Sequence, residues 1–286
     1  MQTQPYHLSA PLKQKSFCVF SSPHSGIEYC ETFKNDFQLE FLKLRSSEDA
    51  FVDELFSEVV TYGSQLISAI APRSFVDLNR DENELDPELI FGLRGEMKCE
   101  PIPSGLGVIP RVVANGRVIK SRKISFQEAT ERLNSYYYPY HNKLAEILRT
   151  IRSVWGKVVL FDCHSMPQEA VKILDNSGKK MPDIVLGDCF GKSCDRHIFE
   201  QAAEAFKNQG FEVLRNTPFS GGFITQNYGD PKLKQHVIQI EINRSLYMDE
   251  LTIEKTAKFN DFKQRISVVL YELVQLGMEQ SLLAAE

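Results

Sequence analysis

Val158-Val159-Leu160-Phe161-Asp162-Cys163-His164-Ser165, followed by Met166-Pro167, is the stretch that decides the fold. An apolar run with β-branched residues ends abruptly in polar ones, and Pro167 closes it. Such a run reads as a buried central strand. In an open α/β sheet, ligands bind just beyond the carboxyl ends of the strands, so His164 is delivered to a chemically useful place. A second segment, Phe17-Cys18-Val19-Phe20-Ser21-Ser22-Pro23-His24-Ser25-Gly26, has the same design. Two strand-end histidines point to a metal site, because neutral imidazole is the commonest protein ligand for zinc-like metals. A metal site in turn points to hydrolysis.

The rest of the chain fits a single domain of 286 residues, with no strong linker, internal repeat or low-complexity segment. Its hydrophobic content of 42% and charged content of 25% are those of a soluble globular protein. A net charge of −5 argues against nucleic acid or an anionic membrane as partner. The segment Met1 to Lys15 has no apolar core of signal-peptide length and reads as loosely ordered. No apolar run approaches the roughly 20 residues of a membrane helix. The six cysteines are scattered without a metal-type Cys-x-x-Cys, which fits a reducing, cytoplasmic compartment. Cys189 and Cys194 could pair, although free thiols are the plainer reading. Oligomeric state is not legible.

Strand-like and helix-like segments alternate, which predicts α/β. The spacing predicts a helix over Ser46 to Tyr62, with Phe51, Val52, Leu55, Phe56, Val59 and Val60 on one face. Leu66 to Ala71 and Ser74 to Leu78 read as strands. Asp81 to Gly116 is a long loop, and loops of that length are usually functional. Ser125 and Glu128 form a capping-box pattern for a helix toward Val154, which Pro139 should break or kink. Strands are expected at Ile184 to Leu186, Glu212 to Leu214 and His236 to Ile242. Helices are expected at Arg196 to Asn208 and from Glu250 to about Gln280.

A catalytic zinc site takes three protein ligands and keeps one position open. The third ligand is expected to be a carboxylate, and spacing leaves two open: Glu28, four residues after His24, and Asp49, which also suits the first turn of the predicted helix. His7, His141, His197 and His236 compete less well as ligands, from a loose terminus or from positions that suit packing. In Val76-Asp77-Leu78-Asn79-Arg80, an Arg beside an Asn suits bidentate recognition of a carboxylate; a salt bridge to Asp81 or Glu82 is the plainer reading. In the strand toward Arg244, Glu241 shares a face with Gln239 and Asn243. A carboxylate there is costly unless paired, metal-bound or functional. Burial should raise its pKa toward that of a general base, while an ion pair with Arg244 is the alternative. Ser104 to Arg111 carries Gly-x-Gly without the third glycine of a dinucleotide loop. Phe219-Ser220-Gly221-Gly222-Phe223 reads as a lid or a turn.

These pieces together resemble the N-formylglutamate amidohydrolase family. The matching segments are Ser-Pro-His-Ser-Gly at 22–26, Val-Asp-Leu-Asn-Arg at 76–80, Gly-Val-Ile-Pro-Arg at 107–111 and Tyr-Pro-Tyr-His at 138–141. Asp-Cys-His-Ser-Met-Pro at 162–167, Pro-Asp-Ile-Val-Leu-Gly-Asp at 182–188, Pro-Phe-Ser-Gly-Gly at 218–222 and Gln-Ile-Glu at 239–241 complete the set. The resemblance, and a more distant one to zinc carboxypeptidases, implies a three-layer α/β fold with a mixed, mostly parallel central sheet flanked by helices. It implies one Zn2+ or another divalent metal, with His24, His164 and Asp49 as ligands. Asp49 matches the family's acidic position; where carboxypeptidases carry a glutamate ligand three residues after the first His, this chain has Ile27. It further implies Glu241 as general acid/base and Asn79 with Arg80 as the anchor of a substrate carboxylate. Arg111 has no clear counterpart and is assigned to the oxyanion or to a second substrate carboxylate. The expected activity is metal-dependent removal of a formyl or similar small acyl group from an acidic amino acid, most simply N-formyl-L-glutamate. The expected partner is a small anionic molecule. The same machinery acting on another N-acyl amino acid or small peptide, and a non-catalytic carboxylate-binding protein, are the alternatives.

Overall fold

The computed structural model describes residues 4–34, 37–93, 102–113, 116–119, 122–175 and 181–278. In chain order the strands are β1 (Tyr6–Ser9), β2 (Cys18–Ser22), β3 (Gln65–Ala69), β4 (Ile90–Phe91), β5 (Ile124–Ser125) and β6 (Val158–Met166). They continue as β7 (Ile184–Gly187), β8 (Val213–Arg215), β9 (Gln235–Asn243), β10 (Met248–Asp249) and β11 (Glu254–Lys255). Seven of them make one sheet in the order β1-β3-β2-β6-β9-β7-β8. β6 is parallel to both β2 and β9, whereas β7 runs antiparallel to β9 and parallel to β8. The sheet is therefore mixed, and helices flank it: Val52–Phe56 packs on β2 and β6, Phe259–Leu276 on β2 and Phe223–Tyr228 on β9. Among the described residues no helix is long and apolar enough to cross a membrane.

The chain divides into two compact units. One gathers the described residues within Met1–His7, Pro23–Ala50 and Ser68–Leu144; the other gathers Leu8–Ser22, Phe51–Ile67 and Ala145–Glu286. The second unit holds the central strands. β2 and β6 are buried along their whole lengths, which is why their sequences run apolar on both faces rather than alternating. Phe20 and Phe161 are register partners on β2 and β6, and their rings stack 5.1 Å apart. The first unit has its own core, in which Tyr29, Phe33, Leu44, Val113 and Ile119 cluster.

Several expectations need correction. β6 does not stop at Phe161. β9 pairs with it as far as Met166↔Asn243, so His164 lies inside the ladder, and Pro167, which cannot donate to it, follows the last strand residue. The predicted helix over Ser46 to Tyr62 begins only at Val52, because Phe51 adopts the left-handed conformation at φ 66°, and it is then split into Val52–Phe56 and Val59–Tyr62. Asp49 consequently sits in irregular backbone, not in a helical first turn. Ser74 to Leu78 is not a strand; the N–H groups of Phe75 and Val76 both turn back to Pro72 O. The capping residue is as expected, with Ser125 Oγ accepting from Glu128 N–H at 3.0 Å. The helix it starts widens to a π turn at Leu133–Tyr137 before continuing as Tyr138–Trp155. That widening takes up the clash Pro139 would make with the carbonyl four residues back.

At the termini, Tyr6–Ser9 forms β1 rather than a loose segment, so His7 lies in a strand. The last helix is Phe259–Leu276, shorter than predicted because β10 and β11 pair just before it. Cys189 and Cys194 are both free thiols. Cys99, residues 94–101 and 114–115 of the predicted loop, and Gln280 at the end of the predicted last helix lie outside the described residues.

Candidate metal centre

On the sheet, β6 and β9 change character toward their carboxyl ends. Side chains alternate along a strand, so Asp162 and His164 share one face, as do Gln239 and Glu241. The register places Asp162 opposite Gln239 and His164 opposite Glu241. His164 is 2% exposed and its Nε2 lies 2.9 Å from Asp162 Oδ2. Asp162, fully buried, also accepts from Ser21 Oγ at 2.7 Å. An ionised carboxylate can only accept, so this contact assigns the imidazole proton to Nε2 and the lone pair to Nδ1.

The loop after β2 repeats that arrangement with different means. His24, 2% exposed, has Nε2 2.7 Å from Asp77 Oδ1. Asp77 also accepts from Asn79 N–H and from Arg73 Nε, each at 2.9 Å. Burial by itself would raise the Asp77 pKa, but the Arg73 cation and His24 hold it well below the usual carboxylate range. The proton of His24 is thereby placed on Nε2 as well, and the lone pair on Nδ1. Asp49 N–H donates to His24 O at 2.9 Å, which ties the two residues through the backbone. Gly26 is required nearby, since a Cβ would come within 2.1 Å of Ala71 O.

His24, Asp49 and His164 are all buried, and each offers one ligand atom, all within 4.8 Å of one another. The donor set of two imidazoles and one carboxylate is that of a catalytic divalent-metal site. His24 Nδ1 and Asp49 Oδ2 are 3.4 Å apart. That is long for a hydrogen bond, yet it is close to the edge of a tetrahedron built on bonds of about 2.0–2.1 Å, roughly 3.4 Å. The residues thus fit a metal ion in both chemistry and spacing. Glu28, the other sequence candidate, is exposed, and it is Asp49 that stands in the cluster.

The remaining predicted residues are placed as follows. Glu241 is 7% exposed and accepts from Gln239 Nε2 at 2.9 Å. Arg244, offered as its ion-pair alternative, donates from Nε to Ser165 Oγ at 3.1 Å. Asn79 is buried, while Arg80 is partly exposed and pairs with Glu84 at 3.3 Å. Tyr137 OH donates to Arg80 O, and His141 lies with Nε2 2.9 Å from Leu78 O, so this segment is held from the helical side. Arg111 has Nε on Asp86 Oδ2 at 2.9 Å and Nη2 on Glu88 Oε2 at 2.8 Å. His236 is buried with Nδ1 accepting from Asp195 N–H, and His197 is exposed. Sequence reasoning passed over Asp77 and Asp162. The second was recoverable: an acid two residues before a strand-end His must share its face.

Comparison with known proteins shows the family of the chain. The family model described as N-formylglutamate amidohydrolase matches residues 16–248. The N-formylglutamate deformylase of Pseudomonas putida is 28% identical over 265 residues, covering 90% of each chain. The crystal structure of the N-formylglutamate amidohydrolase from Ralstonia eutropha superposes with a TM-score of 0.90 at 30% identity, covering 97% of this chain and 100% of that one. A gene product of Agrobacterium tumefaciens shares the fold at a TM-score of 0.65 and 17% identity, with 99% and 95% of the two chains covered.

Proposed function

The chain belongs to the N-formylglutamate amidohydrolase family, and from that premise we propose that it hydrolyses the amide of N-formyl-L-glutamate to formate and L-glutamate with one bound Zn2+. The observation that carries this reading is the buried cluster of His24, Asp49 and His164. When bound there, a divalent metal supplies Lewis-acid polarisation of the amide carbonyl and acidifies water. The chain's own residues do the rest. His24 and His164 present Nδ1 because Asp77 and Asp162 hold Nε2. Glu241, in register with His164, takes the proton of the attacking water and returns it to the leaving nitrogen. Asn79 and Arg80 anchor the α-carboxylate and orient the substrate. Arg111 is assigned to the oxyanion or the second carboxylate. In the same reading the chain works as one amidohydrolase domain of zinc-carboxypeptidase-like architecture, in the cytoplasm, on a small anionic substrate.

The test combines metal analysis of the purified protein with hydrolysis assays on N-formylglutamate, N-acetyl amino acids and dipeptides. Zinc near one per chain and preferred turnover of N-formylglutamate are expected. Preferred turnover of another panel member would replace the substrate, and metal without any turnover would leave a binding protein. Glu241→Gln should retain metal and lose at least about a hundredfold in kcat.

A further inference from the structure

Directly behind His164 and Glu241, one step back along the central strands, lies a row of polar side chains of which the proposed reaction uses only Asp162, through His164. Ser21 on β2 is the register partner of Asp162 on β6, and Asp162 is the partner of Gln239 on β9. All three are buried, with Ser21 and Asp162 at 0% and Gln239 at 4% exposure. Buried polar groups are costly unless satisfied; Ser21 donates to Asp162, and Asp162 and Gln239 each reach in two directions. Asp162 accepts from Ser21 Oγ at 2.7 Å with one oxygen and faces His164 Nε2 at 2.9 Å with the other. Gln239 accepts from Gly222 N–H at 2.7 Å through Oε1 and donates to Glu241 Oε1 at 2.9 Å through Nε2.

The orientation of the Gln239 amide is forced. A backbone N–H cannot face an NH2 group, so Gly222 takes the oxygen and turns the donor toward Glu241. The register shows why Gly222 can be there. The row continues onto β7 at Gly187, the antiparallel partner of Gln239. A Cβ on Gly187 would come within 2.7–2.9 Å of the Ser220–Gly221 backbone, so the missing side chain is what lets that loop pass over the strand. Cys189 N–H donates to Ser220 O at 2.7 Å and fastens the loop in place. The segment Phe219 to Phe223 is thus anchored to the sheet through its backbone.

We propose that Ser21, Asp162 and Gln239 form a positioning layer in which each half of the site is set by the residue two positions earlier on its own strand. Asp162, braced by Ser21, fixes His164 for the metal, and Gln239, braced by Gly222, fixes the Glu241 carboxylate for proton transfer. The Gln239 half rests on the reading of Glu241 as the base. None of the three is a catalytic residue; each acts through its neighbour.

The two halves predict opposite signatures. Asp162→Asn should weaken Zn2+ binding, measured by chelator competition, by roughly ten- to a hundredfold. Ser21→Ala should weaken it in the same direction by a few fold, and carries this arm if Asp162→Asn does not fold. Gln239→Met, close in volume and without the donor, should keep wild-type Zn2+ affinity and KM while kcat falls by about ten- to a hundredfold, the scale of a misplaced catalytic group. Wild-type Zn2+ affinity in both Asp162→Asn and Ser21→Ala overturns the metal half. Unchanged kcat in Gln239→Met, or a metal loss there as large as in Asp162→Asn, overturns the other. Glu241→Gln, assayed alongside, separates the levels. If it retains near-normal turnover, the base assignment falls and takes the Gln239 half with it. If it loses turnover while Gln239→Met does not, the Gln239 half alone is wrong.

Discussion

His164 and His24 carry the same chemistry in two kinds of backbone. His164 sits within a fully buried strand, and the acid that orients it is two residues away on that strand. His24 sits in a loop, and its orienting acid lies 53 residues further along the chain. In the strand the ladder and its register supply the alignment. In the loop there is no ladder, so the acid must itself be held, and Asp77 is gripped by Arg73 Nε and by the N–H of Asn79. The difference teaches where each half is vulnerable: the strand half through what it displays, the loop half through what supports its support.

The largest expected effect does not distinguish the halves. His24→Ala or His164→Ala should each remove a ligand and abolish stoichiometric zinc, as read by metal analysis after dialysis. Full zinc in either variant would take that histidine out of the centre. The next effect does distinguish them. Asp77→Asn should weaken Zn2+ binding by roughly ten- to a hundredfold and also lower the unfolding free energy, by about 1–3 kcal/mol, because it disturbs a buried acceptor shared by three donors. Urea denaturation of the apoprotein reads the second quantity without the metal. A weakened metal site with wild-type stability would show that Asp77 orients His24 but does not organise the loop. Smaller again, Arg73→Met removes an ion pair whose cation is 26% exposed. Water at the Arg73 side moderates the loss, but Asp77 is 0% exposed, so it should be about 1 kcal/mol, below that of Asp77→Asn, and Zn2+ affinity should fall only a few fold.

The same contrast governs what could be read from the sequence. The α/β order and both histidines were legible because apolar runs that end in polar residues carry their own meaning. The motif order across the chain carried the family. The error at β6 was one of extent: Asp162 and His164 look like the end of a strand, but pairing with β9 continues through them. Around His24 the failures were of kind. A single left-handed residue, Phe51, delayed to Val52 the start of a helix whose periodicity begins earlier. The carbonyl of Pro72 accepts from the N–H groups of Phe75 and Val76 and turns a segment whose aromatic and β-branched residues suit a strand. Asp77 has no legible role within its motif, because nothing local says that an acid in a loop faces a histidine 53 residues away. Orientation by register can be inferred from spacing; orientation by tertiary contact cannot.

The smallest expected effect tests the residue the sequence could not separate from Asp49. Glu28 and Asp49 are both acids in the loop half, and spacing ranks neither. Asp49 is 1% exposed and joined to His24 through its own backbone N–H. Glu28 is exposed, and its backbone N–H donates to Ile70 O at 2.8 Å, a bond that an alanine would keep. Glu28→Ala should therefore leave zinc stoichiometry and turnover at wild-type levels, with stability changed by no more than about 0.5 kcal/mol as for an ordinary surface site. Asp49→Ala, in contrast, should lose tight zinc binding. The reverse pattern, with zinc lost from Glu28→Ala and kept in Asp49→Ala, would move the carboxylate ligand into the exposed part of the loop. The 3.4 Å spacing between His24 and Asp49 would then be an ordinary buried polar contact and not the edge of a coordination shell.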